Sequence, residues 1–151
     1  MSATTTRGTG RTRSGSAPGA RLVLDIRPGD RMVVNGAALQ FRSRTSVVLS
    51  NRVRFLFGKQ IMAPEEASTP SRRVYFAMQS AYVADEEDVR LRFRIIARDL
   101  VEEYQVATTS GTARDILRDA LCDLDADRCW EAMRRVRELF AHDDAVLEAA
   151  V

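Results

Sequence analysis

The run Ile26-Arg-Pro-Gly-Asp-Arg-Met-Val-Val-Asn-Gly-Ala-Ala-Leu39 decides how the first third of this 151-residue chain folds. Pro28 fixes φ at the second position of a turn, and Gly29 supplies the positive φ that a type II turn requires at the third. Asn35-Gly36 is the strongest two-residue hairpin signal, because both central residues of a type I′ turn need positive φ. Met32, Val33 and Val34 form the strand between the two turns. Upstream, Leu22, Leu24 and Ile26 alternate with Val23 and Asp25, which predicts a strand with one apolar face. Downstream, residues 37–42 return. Residues 47–49 and 53–57 read as a further strand pair around Ser50-Asn51-Arg52, closed by Gly58. Five short strands with tight turns predict a small antiparallel, barrel-like unit over residues 21–60.

A second run, Ala63-Pro-Glu-Glu-Ala-Ser-Thr-Pro-Ser-Arg-Arg-Val-Tyr-Phe76, changes the period. Pro64 with two acids behind it starts one helical turn, because proline lacks the donor a first turn leaves unused and acids face the positive helix end. Ser68 or Thr69 before Pro70 starts a helix over residues 70–83 in the same way. A second helix spans residues 86–104, with Val89, Phe93, Ile96 and Leu100 as its inward stripe. Ser110 caps a third, whose inward residues are Ile116, Leu117, Ala120, Leu121 and Leu124. Asp127 caps a fourth carrying Trp130, Met133, Val136, Leu139 and Phe140, and Asp143-Asp144 precedes a last turn through Leu147. The class is therefore α+β: a sheet unit, then a bundle of about four helices over residues 61–151, the two forming one compact domain.

Length fits about one domain. No apolar run approaches the roughly 18 residues of a membrane helix, and the N-terminus has no signal-peptide core, so a cytoplasmic protein without membrane contact is expected. Cys122 and Cys129, seven apart on a helix, lie beyond disulfide reach and read as reduced, buried small hydrophobes. A single histidine, His142, disfavours His-bearing zinc sites and Ser-His or Cys-His catalysis. Gly8-Thr9-Gly10 precedes no strand–helix unit, so no phosphate loop is present. The acids Glu65-Glu66 and the cluster 85–88 are explained by helix starts. No convergent polar set suggests an enzyme, a cofactor or a metal.

The net charge of +2 conceals an asymmetry. The first 60 residues hold eleven basic and two acidic side chains, a net +9; the remainder holds twelve and nineteen, a net −7. Residues 1–20 carry three arginines, no acid and almost nothing to bury, which predicts a disordered basic tail. The excess of arginine, 22 against one lysine, reads as coding bias. The basic strand region is the best candidate site. Arg42 and Arg44, like Arg52 and Arg54, are two apart and share a face if extended. With Arg21, Arg27 and Arg31 they offer planar donors to phosphate and guanine edges. Phe41, Phe55 and Phe57 are interleaved as candidate stackers, although Phe55 and Phe57 fall on the face opposite Arg54. An exposed Tyr75 beside Arg72 and Arg73 would suit a partner contact, with helix–sheet packing as its alternative.

On these residues the chain resembles the flagellin-synthesis regulator family of alphaproteobacteria (FlbT). The resemblance rests on the Arg-Pro-Gly-Asp-Arg turn from Arg27 to Arg31 and on Val34-Asn35-Gly36-Ala37. Pro64-Glu65-Glu66-Ala67, Thr69-Pro70, Arg73, Tyr75, Phe76 and Gln79 complete it, and it covers residues 22–147. It implies a non-enzymatic, post-transcriptional regulator acting at the 5′ untranslated region of flagellin messenger RNA; the basic strand region, with Arg21, Arg27, Arg31, Arg42, Arg44, Arg52 and Arg54, is then the candidate RNA-binding set. It also implies a small flagellar partner, FlaF. The helices would recruit that partner or form a homodimer, and a pure protein-interaction module without RNA contact is the rival reading. A weaker resemblance, at the level of fold, links the first strand and its Arg-x-Gly-acid turn to the strand-exchanged dimers of the carbon storage regulator proteins.

Overall fold

The computed structural model describes residues 21–150; the expectation for residues 1–20 lies outside them. The chain divides into two compact units, Met1–Gly58 and Lys59–Val151. The class is α+β, as the sequence predicts.

The first unit holds five strands: β1 (Leu22–Ile26), β2 (Arg31–Val34), β3 (Ala37–Gln40), β4 (Thr45–Leu49) and β5 (Phe55–Phe57). Both expected turns form. Gly29 has φ +88 and the Asp30 N–H donates to the Arg27 carbonyl at 3.0 Å, as a type II turn requires. Asn35 (φ +49) and Gly36 (φ +84) turn β2 back into β3. A Cβ built on Gly29 meets nothing within 4 Å, so only its backbone geometry demands glycine. Gly29→Ala should therefore lower the unfolding free energy by about 1–2 kcal/mol, the penalty of a left-handed L-residue, in urea denaturation.

The pairing differs from the expected barrel-like unit. The strands make two antiparallel sheets: β1 with β4, and the order β3-β2-β5. The expected β4–β5 pair does not form; β4 lies against β1 and β5 against β2. Turn signals mark where a strand ends, whereas burial of Ile26, Met32, Phe55 and Leu56 decides which strands meet.

A single 3₁₀ turn, Gly58–Gln60, spans the boundary, and a second, Pro64–Glu66, follows in the second unit. Glu65-Glu66 is a structural start, with the Glu66 carboxylate accepting the Ala63 N–H at 2.7 Å. Five helices follow: α1 (Pro70–Val83), α2 (Glu87–Ala107), α3 (Gly111–Asp125), α4 (Cys129–Arg137) and α5 (Phe140–Ala149). Thr69 and Ser110 cap α1 and α3, their hydroxyls accepting the Arg72 and Ala113 N–H groups.

Asp127 is not the α4 cap. At φ +59 it terminates α3, its N–H donating to the Leu124 carbonyl while the Arg128 N–H reaches the Asp123 carbonyl. That is a Schellman arrangement with aspartate in the position usually held by glycine. The expected fourth helix breaks at Glu138 and Leu139, whose N–H groups bond three residues back, so Phe140 begins α5. Ala77, Met78, Ala81, Val101, Leu117, Ala120, Leu124, Met133 and Val136 form the core of this unit. Cys129 is buried and donates to the Met78 carbonyl, but Cys122 is exposed, contrary to expectation. Among the described residues no helix is long and apolar enough to cross a membrane.

Candidate nucleic-acid interface

The seven arginines do not line a sheet face. Arg31 alone lies in a strand. Arg21 immediately precedes β1, Arg27 belongs to the turn after it, Arg42 and Arg44 lie between β3 and β4, and Arg52 and Arg54 between β4 and β5. Strand register nevertheless gathers them. Ile26 stands opposite Thr45, which brings Arg27 and Arg44 to the same end of the β1–β4 ribbon. The Gly29 N–H donates to the Phe41 carbonyl at 2.7 Å and the Phe41 N–H to the Asp30 carbonyl at 3.0 Å, so Arg42 follows directly beside the turn. Arg31 stands opposite Gln40. Thus Arg27, Arg31, Arg42 and Arg44 lie together where the β1–β4 ribbon joins the β2–β3 ribbon.

Arg21 and Arg52 stand at the far end of the β1–β4 ribbon, and Arg54 stands at the far end of the β3-β2-β5 sheet. Leu22 pairs with Leu49, so Arg21 lies where the chain leaves β4 toward Arg52. Val34 pairs with Phe55. The Asn35 N–H donates to the Arg54 carbonyl at 2.9 Å, and the Arg54 N–H returns to Asn35 Oδ1, which holds Arg54 beside the hairpin. Six of the seven are exposed and Arg54 is half-buried. Among the described residues none of the seven forms an ion pair. The only acids within residues 21–58 are Asp25 and Asp30, and the Asp30 carboxylate is occupied by the Arg27 backbone N–H at 2.8 Å.

The helical unit treats its arginines differently. Arg72 pairs with Asp144, Arg90 with Glu87, Arg94 with Asp127, Arg98 with Asp125 and Arg118 with Asp115. Arg128 and Arg135 converge on the buried Asp123. Burial of Asp123 works against its charge, but hydrogen bonds from Arg135 and Arg128 outweigh it and hold the carboxyl below its usual range. These guanidiniums are already neutralised.

The expected contact trio Arg72, Arg73 and Tyr75 is divided. Tyr75 is buried, which takes it out of the contact reading and favours a packing role; its hydroxyl donates to the Gln60 carbonyl at 2.6 Å and its ring meets Phe140 edge-on. Burial pushes its phenol up, against the opposing charge of Arg137. Arg72 holds Asp144 through two bonds at 2.7 and 2.9 Å and lies over the Phe140 ring. Arg73 alone is exposed. Phe55 is a core residue, and Phe41 and Phe57 are half-buried. No group of three or more His, Cys, Asp or Glu able to hold a metal occurs among the described residues.

Sequence reading missed the apolar surface of α2. Ala97, Val101 and Tyr104 are buried, whereas Ile96 of the expected inward stripe is exposed, as are Leu91 and Ile95.

The family described as "Flagellar protein FlbT" matches residues 22–147. The probable flagellum biosynthesis repressor protein FlbT 2 of Bradyrhizobium diazoefficiens is 33% identical over 128 residues, covering 82% of this chain and 90% of that protein. The probable flagellum biosynthesis repressor protein FlbT of Caulobacter sp. is 32% identical over 127 residues, covering 82% and 93%. The flagellum biosynthesis repressor protein FlbT of Caulobacter vibrioides is 30% identical over 124 residues, covering 82% and 86%. No solved structure matches. With the family's extent coinciding with everything after the basic tail, the chain belongs to the FlbT family of flagellar proteins.

Proposed function

We propose that this protein is a non-enzymatic, cytoplasmic regulator that binds the 5′ untranslated region of flagellin messenger RNA and alters its translation or stability. The observation that carries this reading is the contrast in arginine use. Seven guanidiniums of the sheet unit have no ion-pair partner among the described residues, while seven of the twelve in the helical unit are paired with carboxylates in place. Unpaired, clustered arginine is the electrostatic footprint of a polyanion partner. The relatives' names, as repressors of flagellum biosynthesis, support regulation rather than catalysis.

The test is a mobility shift of the flagellin leader RNA by purified protein, with a scrambled leader as control. A shift of the leader in preference to the control is expected. Arg42→Ala with Arg44→Ala should weaken it about tenfold, because each exposed charged contact is worth up to about 1 kcal/mol. Unaltered affinity in that variant would move the site elsewhere.

A second reading has its own observation. Leu91, Ile95 and Ile96 leave an apolar patch exposed on α2, where a flagellar partner protein such as FlaF would dock. Capture of purified FlaF by the wild-type protein, but not by Leu91→Ser with Ile95→Ser, together with no RNA shift, would favour it.

A further inference from the structure

We infer that the arginines at the two ends of the β1–β4 ribbon, Arg27, Arg42 and Arg44 at one and Arg21 and Arg52 at the other, are separate phosphate-binding sites bridged by one single strand of RNA, so that the sheet unit selects a minimum length of unpaired strand. This rests on the RNA reading above and specifies which form of RNA the unit takes. Arg21 and Arg27 bracket β1, whose five residues are fully paired with β4. Six steps at about 3.3 Å place the two ends about 20 Å apart. That exceeds the Debye length of about 8 Å at physiological ionic strength, so each cluster attracts phosphate independently of the other. A stacked strand rising about 3.4 Å per nucleotide covers the interval with about six nucleotides.

The surface between the clusters argues for a single strand. Val23 and Val48 are direct cross-strand partners, 57% and 49% exposed, on a ribbon face they share with Asp25 and Ser46. This stretch offers apolar surface and one acid where a phosphate backbone lying flat would need cations. Splayed bases can cover valines, whereas the bases of a duplex stay stacked inside it. Each site is weak alone, and a strand that reaches both gains the effective concentration of the second contact.

Fluorescence anisotropy with the full-length protein at about 50 mM salt tests this, using single-stranded uridine oligomers of three and twelve nucleotides and a twelve-base-pair RNA duplex. The twelve-mer should bind about a hundredfold tighter than the three-mer, the lower end of bivalent gains, and tighter than the duplex. Arg42→Ala with Arg44→Ala, and separately Arg21→Ala with Arg52→Ala, should each bring the twelve-mer down about tenfold or more and leave the three-mer nearly unchanged. Three-mer and twelve-mer affinities within threefold of each other would overturn the bridging inference while leaving RNA binding intact. So would a double variant at either end that binds the twelve-mer like wild type. A wild-type protein that binds no oligomer and does not shift the flagellin leader overturns the RNA reading as well. The length dependence in the wild type decides the matter even if a variant fails to fold.

Discussion

Asp143→Ala is expected to lower the unfolding free energy by about 2–6 kcal/mol, the sum for two buried donors left without an acceptor. Asp143 lies in α5 and is only 5% exposed. Its carboxylate accepts the Ser71 N–H, in the first turn of α1, at 2.7 Å, and also the hydroxyl of Tyr104 in α2. One side chain therefore joins three helices and sets a negative charge against the positive end of α1. Burial, then the bond to Asp143 and its charge, push the Tyr104 phenol far above its usual range, so it remains the protonated donor. Alanine would leave the Ser71 N–H and the Tyr104 hydroxyl unpaired in the interior, at about 1–3 kcal/mol each. For a chain of this size each kcal/mol shifts the melting temperature by about 2–4 °C, so thermal denaturation should show a fall of roughly 10 °C. Asp143→Asn keeps one acceptor oxygen and should lose less. Asp144→Ala, at the half-exposed partner of Arg72, should change little. A melting temperature for Asp143→Ala within 2 °C of wild type would remove Asp143 as the tie between the helices.

None of that network was legible in the sequence, where Asp143-Asp144 reads only as the start of a last turn. What was legible depends on residues with few conformational options. Pro28, Gly29, Asn35 and Gly36 allow almost one backbone path each, so both turns of the first unit could be placed. Thr69 and Ser110 could be placed as caps for the same reason. Asp127 was misread because aspartate serves equally as a helix cap and as a left-handed terminator, and only the bonds back to Asp123 and Leu124 distinguish them. Strand pairing was misread because β4 and β5 are neighbours in sequence with no tight turn to join them. On α2, hydropathy gives Ile96 more weight than Ala97, but the buried position is that of the small residue, which lets another helix approach closely. Tyr75 stays open between contact and packing in the sequence, which shows two adjacent arginines and cannot show the Gln60 carbonyl that takes its hydroxyl. The arginines were visible as charge, and their division between the ribbon junction and the far ends of the two sheets was not, because only the register of β1 with β4 and of β2 with β3 and β5 creates it.

That division fixes the size of the salt effect on RNA binding. Seven unpaired arginines that each neutralise one phosphate give a slope of about −5 in log affinity against log salt, at about −0.7 per phosphate of a single strand. Raising salt fourfold, from about 50 to 200 mM, should then weaken binding to the flagellin leader by about a thousandfold. Arg118→Ala should leave the slope unchanged, because that guanidinium is already paired with Asp115. Removing Arg42 and Arg44 should reduce the slope by about 1.4, two phosphate equivalents. The slope separates the readings better than affinity does. A partner protein held on the apolar α2 patch would bind through surface burial, which salt weakens little, and its affinity would respond to Leu91 and Ile95. A nearly flat salt dependence with an intact leader shift would mean that the arginine ends do not carry the contact, and the apolar face of α2 would then be the surface to test.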